Sequence, residues 1–442
     1  MMWKQSKQYV APFRRYAVLG GCLLVSLVQA ETPELPRYSA DKHLGVSSCA
    51  SAQCHGAVRN YEDSHIWRNE YRVWSREDPH ARAYSVLKTK ASRKMAAYLG
   101  LKNAHEADVC LDCHTDYVPK ERRGRKFRIS DGVGCEACHG GAERWIKSHT
   151  EKNVTHAANI EKGLFPSEAP PSRALLCQSC HYGDKNRFAT HAIMAAGHPR
   201  LSFELDTFTL TQVHYDIDKD YLERKSFPGN VPTWAAGIAQ NALQNLEVID
   251  NLLFAKPGIF PEIALFDCHA CHHAMDDRRM SRRETTAGLP PGAIRLNDSA
   301  LVMLYVISLH VSPAQSDACL SAIHALHRAT RSGREAVLAA SEKLATRIRA
   351  IQKDIPRFDY SPANIAALRK TLFKLGGKGE FRDYSGAEQA TMAVDLLTFA
   401  LKQEDKYQQQ LDRLYKVLEK ESDYSPPGFA MAMRDFGVAA GG

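Results

Sequence analysis

Residues 132–140 read Gly132-Val133-Gly134-Cys135-Glu136-Ala137-Cys138-His139-Gly140. Two thiols three positions apart, followed at once by an imidazole, form the C-x-x-C-H pattern of c-type haem attachment. The chemistry needs that spacing. Two thiols must reach the two vinyl groups on one edge of a porphyrin, while the next side chain turns its imidazole onto the iron. The pattern recurs at Cys110-Leu-Asp-Cys113-His114, Cys177-Gln-Ser-Cys180-His181 and Cys268-His-Ala-Cys271-His272. A fifth copy, Cys49-Ala-Ser-Ala-Gln-Cys54-His55, has the same ending with two more residues between the thiols. From the chain's Cys and His frequencies, about 0.01 to 0.02 copies of C-x-x-C-H are expected by chance, so four copies are a strong signal. The cysteines expected to hold five haems c are therefore Cys49, Cys54, Cys110, Cys113, Cys135, Cys138, Cys177, Cys180, Cys268 and Cys271. His55, His114, His139, His181 and His272 are the proximal iron ligands. A structural disulfide between Cys49 and Cys54, leaving four haems, is the competing reading of the stretched motif. A zinc ribbon has no use for a histidine after every second cysteine. Of the remaining cysteines, Cys22 lies in the N-terminal segment, and Cys319 has the context of a buried small hydrophobe.

The chain has 442 residues, a net charge of +8, 44% hydrophobic residues and 24% charged residues, which excludes disordered and collagen-like classes. Lys4, Lys7, Arg14 and Arg15 supply half of that charge excess, and residues 1–30 hold no acid. Those residues read as a secretory signal: a basic start, an apolar run from Ala17 to Val28, and small-residue cleavage after Val28-Gln29-Ala30. An uncleaved anchor and a lipoprotein site at Cys22 are the alternatives. With the segment removed, nucleic-acid binding loses its main support, and no later stretch reaches the about 20 apolar residues of a membrane span.

The expected fold class is mostly α: a multihaem cytochrome c domain with little regular structure over residues 31–285, then a C-terminal helical bundle over 286–442. Haem macrocycles supply much of the core in the first part, so short helices and long connections are expected there. Thr285–Leu296, with Pro290-Pro291-Gly292, reads as the linker. Beyond it the apolar residues take helical spacing, as at Ile365, Leu368, Leu372 and Leu375 and again at Tyr407, Leu411, Leu414 and Leu418. Ser312 and Ser385 open candidate capping boxes, Ser361-Pro362 a helix start, and Gly376-Gly377 a helix stop.

Over residues 45–200 the chain resembles the cytochrome c-554-like multihaem proteins, periplasmic electron carriers related to larger haem-bundle nitrogen and sulfur enzymes. The resemblance rests on the order of Cys49–His55, Trp74-x-x-x-x-Pro79-His80-Ala81-x-Ala83, Cys110–His114, the glycine-flanked Cys135–His139 with His149 ten residues on, and Cys177–His181. The stretched first motif, about fifteen extra residues around Tyr61–Trp74, the fifth haem and the C-terminal helices depart from that tetrahaem pattern. The resemblance implies that His80 and His149 are distal axial ligands, and that the haem on His114 is the candidate for an open sixth position. His65, His191 and His198, near motifs in apolar or aromatic surroundings, are read as further distal ligands. His43, His105, His156, His214, His310, His324 and His327 are read as surface or core residues. His269 and His273 flank the last motif and are candidates only for a neighbouring haem.

Two histidines on one iron make a low-potential electron-transfer haem. The expected function is therefore electron transfer through five haems in the periplasm of a Gram-negative bacterium, with redox partner proteins there or at the membrane. The alternative is an oxidoreductase in which one five-coordinate haem takes a small nitrogen or sulfur oxyanion. In that case the iron on His114, with Arg122, Arg123 or His105 beside it, is the place for chemistry. A structural haem-bearing module of a membrane complex is the third class.

Overall fold

Residues around the thiols fold into helical turns that stop at the imidazole. Helices α1 (Asp108–His114), α2 (Cys135–His139) and α3 (Pro170–His181) each end on the histidine of their motif. Pro170 opens α3 with its φ already set for a helix. Gly140, at φ +84°, ends α2, and a side chain there would run into the carbonyl of Gly163. The computed structural model describes residues 33–59, 67–211, 214, 219–225, 227–250, 262–272, 283–286, 289–290 and 293–441. The expected signal segment lies outside them.

Among the described residues the only sheet is a two-residue hairpin, β1 (Gly183–Asp184) against β2 (Arg187–Phe188). It ties two motifs together. Arg187 donates to the carbonyl of Asp112, between the thiols of the second motif, at 2.7 Å and to the hydroxyl of Ser179, between those of the fourth, at 2.5 Å.

After α4 (Leu205–Thr211) the helices lengthen: α5 (Asn230–Ile249), α6 (Ser299–Val311), α7 (Pro313–Ala329), α8 (Arg334–Asp354), α9 (Pro362–Gly377), α10 (Tyr384–Ala400), α11 (Glu404–Lys416) and α12 (Pro426–Ala439). The fold is mostly α, as the sequence predicts. One large apolar cluster holds these helices, with Trp234, Ile238, Met303, Leu304, Ile307, Ile323, Leu344, Leu372, Leu397 and Phe436 essentially sealed from solvent. Helix α6 is apolar almost all round and buried along most of its length. Before α5 the apolar clusters are small, such as Leu87, Ala96, Ala104 and Leu111. The described residues belong to one unit, with α5 packed against α3 ahead of it and α6, α8 and α10 after it.

Local details differ from the expectations. The N-cap of α10 is Asp383, which accepts from the Gly386 amide at 2.6 Å, so the helix starts before Ser385. Ser312 spends its hydroxyl on Asp354 instead of on its own helix. Gly376 and Gly377 close α9, where the sequence places a stop, and a Cβ on Gly376 would sit 2.5 Å from the Met433 methyl. Close approach of α12 requires them, and the left-handed turn comes at Gly379, φ +82°. In the expected linker, Thr285, Leu289 and Leu296 are buried.

Candidate haem-binding sites

Five histidines that end motifs each face a second histidine ring. His55 lies 6.2 Å from His149, centroid to centroid, with the ring planes within 9°. His114 faces His198 at 6.3 Å, His139 faces His214 at 6.3 Å, and His181 faces His80 at 5.9 Å, each pair near perpendicular. His272 faces His191 at 6.3 Å with 26° between planes. Two imidazoles on opposite sides of one metal, each bonded at about 2 Å and about 1.1 Å from nitrogen to ring centre, have centroids about 6 Å apart. All five pairs meet that spacing.

The nitrogens are set for it. The Nδ1 of His55 meets Glu70 Oε2 at 3.0 Å, and that of His80 meets Asp78 Oδ1 at 2.9 Å. His114, His149 and His198 place Nδ1 against the carbonyls of Ala83, Trp145 and Pro199 at 3.1, 3.3 and 2.8 Å. An acceptor at Nδ1 fixes the tautomer and leaves Nε2 for a metal. Outside these pairs the pattern inverts: His156, His310, His324 and His327 spend Nε2 on Glu168, Thr371, the Glu284 carbonyl and Asp298. His269 sits between Tyr384 and Tyr424 with Nε2 3.5 Å from Glu421. His43, sealed from solvent, is the exception outside the pairs, with Nδ1 on Asp116 at 2.8 Å.

Protonation states follow the surroundings. Burial, with His214 beside it, pushes His139 down to about 3, and burial with His80 and His114 nearby pushes His181 down to about 4. Burial also lowers His114 and His149. All four are thus neutral imidazoles near pH 7, the form that binds metal. The Glu70 carboxylate holds His55 above its ordinary value, outweighing burial.

Every described cysteine is a free thiol, Cys49 and Cys54 included. Thiols of different motifs lie close enough to shift each other's ionisation: Cys49 with Cys135, and Cys113 with Cys180. Glu136, between the thiols of the third motif, is buried and accepts from the amides of Leu44, Gly45 and Ala142 at 2.7, 2.6 and 2.8 Å. Those bonds fold the segment ahead of the first motif over the third. Burial seals Cys319 and pushes its thiol up to about 12.

Of the distal histidines expected from sequence, the structure pairs His80, His149, His191 and His198 with motif histidines. His65 and His273 lie outside the described residues. His214, read as a surface or core residue, is the partner of His139. Its neighbours Val213 and Tyr215 give it the same apolar and aromatic setting that singled out His65, His191 and His198. Arg122 and Arg123 are engaged with backbone carbonyls, those of Ser39 and Arg37 and that of Val118, and His105 faces Tyr84.

Residues 48–140 match the model of a family described as cytochrome c554 and c-prime. The match takes in the first three motifs; the fourth and fifth lie beyond it. Over this segment the chain resembles a c-type cytochrome, an electron carrier with covalently bound haem c. No curated protein and no solved structure matches the chain. Among the described residues no helix is long and apolar enough to cross a membrane.

Proposed function

We propose that this protein is a periplasmic multihaem c-type cytochrome that passes single electrons through five haems, each with two histidine ligands. Cys49 and Cys54, Cys110 and Cys113, Cys135 and Cys138, Cys177 and Cys180, and Cys268 and Cys271 hold the porphyrins. His55 with His149, His114 with His198, His139 with His214, His181 with His80, and His272 with His191 are the axial pairs. The observation that carries this reading is the recurrence of one ring-to-ring distance at all five motifs, 5.9 to 6.3 Å. Neutral imidazoles at His114, His139, His149 and His181, acceptors at the Nδ1 of His55, His80, His114, His149 and His198, and free thiols are donors of the kind haem c needs. Bound there, the group supplies a reversible one-electron couple. The chain sets its potential through axial ligands, burial and the acceptors at Nδ1. The nearness of Cys49 to Cys135, and of Cys113 to Cys180, supports close approach of the groups those cysteines hold.

The reading as an oxyanion enzyme requires an open iron. A ring over His114, and the engagement of Arg122 and Arg123 with carbonyls, weigh against it. Redox partner proteins in the periplasm or at the membrane belong to the same proposal. The test is a haem count by mass and absorbance, with low-temperature EPR of the oxidised protein. Five haems per chain, all low-spin, are expected; four haems, or one high-spin iron, would overturn the five-pair assignment.

A further inference from the structure

His198 is held differently from other members of the pairs. Like His80 and His149, whose Nδ1 acceptors are Asp78 and the Trp145 carbonyl, it takes its acceptor from its own turn; what differs is how that turn is fastened. His198 sits in a turn between Gly197, φ +110°, and Pro199, whose carbonyl meets its Nδ1. The stretch that follows is fastened to residues almost two hundred positions later. Arg200 donates to the Ser385 hydroxyl at 3.0 Å and to Glu388 Oε2 at 2.7 Å, and its Nε lies 3.5 Å from Glu421 Oε1. Its guanidinium stands 5.3 Å from the Tyr384 ring centre. Ser202 donates to the same Glu388 oxygen at 3.2 Å, and Gln389 donates to the Phe203 carbonyl at 3.1 Å. Tyr384, Ser385, Glu388 and Gln389 all belong to α10. Its N-terminal corner is thus spent on the loop that carries His198.

We infer that the C-terminal helices close the sixth coordination position over His114, and that Arg200 is the positioning residue that makes them do so. This rests on the assignment of His198 as a ligand. The planar fork of Arg200 engages Ser385 and Glu388 at once, which a point charge does not reproduce. Only Pro199 separates Arg200 from His198, so loss of the fork frees the turn that presents the ring. The helices thereby decide whether the His114 iron is a closed electron-transfer centre or accepts an external ligand.

The experiment uses full-length holoprotein: wild type, His198→Ala, Arg200→Ala, Arg200→Lys and Glu388→Gln. Each is checked for haem content and helicity, then measured by EPR when oxidised and by carbon monoxide titration when reduced. His198→Ala is expected to convert one haem of the five to high-spin and to bind one carbon monoxide. Arg200→Ala is expected to approach that state, Glu388→Gln to reach it in part, and Arg200→Lys to recover only a minor share of the low-spin signal. If His198→Ala leaves every iron low-spin, the ligand assignment fails and the inference with it. If His198→Ala opens one iron while Arg200→Ala and Glu388→Gln stay low-spin and silent to carbon monoxide, the inference alone is overturned. Should Arg200→Ala not accumulate, Glu388→Gln carries the same test.

Discussion

The region of the first four motifs and the helices from α5 onward, which flank the fifth motif, solve the problem of a core by opposite means. From α5 the core is made of the chain's own side chains, with Trp234, Met303, Leu304 and Phe436 at its centre. Ahead of it, clusters such as Leu35, Phe165 and Leu175 are too small to hold some 180 residues together. There the interior is lined by paired imidazoles and thiols, which cohere only through what they bind. On the proposed reading, the second part brings a core of its own, while the first draws much of its core from its cofactors.

The strongest way to break that contrast is to withhold haem. A chain exported without haem attachment is expected to lose residues 33–211 to limited proteolysis, while a fragment built on α5 to α12 survives, as read by mass spectrometry. Equal loss of both regions would show that the helices depend on the haem part as well.

A smaller effect comes from the charges buried among the helices. Arg283 meets Asp298 at 2.6 Å and Asp383 at 3.3 Å, and His327 meets Asp298 at 3.0 Å, all sealed from solvent. Asp298→Ala leaves Arg283 short of a partner and should cost about 3–5 kcal/mol in denaturant unfolding, with haem potentials unchanged. Burial alone would raise the Asp298 carboxyl, but Arg283 and His327 outweigh it and hold the group well below the usual range. Its stabilisation is therefore full above the unfolded value of about 3.9 and is lost as pH falls below it. Asp298→Asn should flatten that acid limb.

The smallest effect is the converse. Glu70→Gln weakens the acceptor at His55 Nδ1 and makes the imidazole a poorer donor to ferric iron. One haem potential should rise by up to about 60 mV, the one-electron equivalent of a tenfold change, with little change in unfolding. A potential that stays put would remove Glu70 from the tuning of that haem.

What the sequence disclosed follows the range of each interaction. Thiols and proximal histidines lie within a few residues of each other, so their spacing carries the chemistry. Distal partners come from elsewhere: 94 positions separate His55 from His149 and 101 separate His181 from His80. Spacing says nothing about such pairs. Resemblance supplied His80 and His149, local setting supplied His191 and His198, and His214 was passed over for want of a motif beside it. In the helices, periodicity gave the buried faces of α9 and α11. It did not give their neighbours: Gly376-Gly377 read as a stop, which they are, and they also seat α12. The start of α10 was misplaced because Asp383 caps the helix and also faces Arg283.

The nearness of thiols from different motifs bears on the order of biosynthesis. Cys49 beside Cys135 and Cys113 beside Cys180 are mispairings waiting for an oxidant in any chain that collapses while its cysteines are still unmodified. Two wrong disulfides would then staple the polypeptide in a native-like shape with four attachment points already consumed. On the proposed reading, ligation therefore has to run ahead of compaction, on a chain kept open and reduced until each pair of thiols has been used.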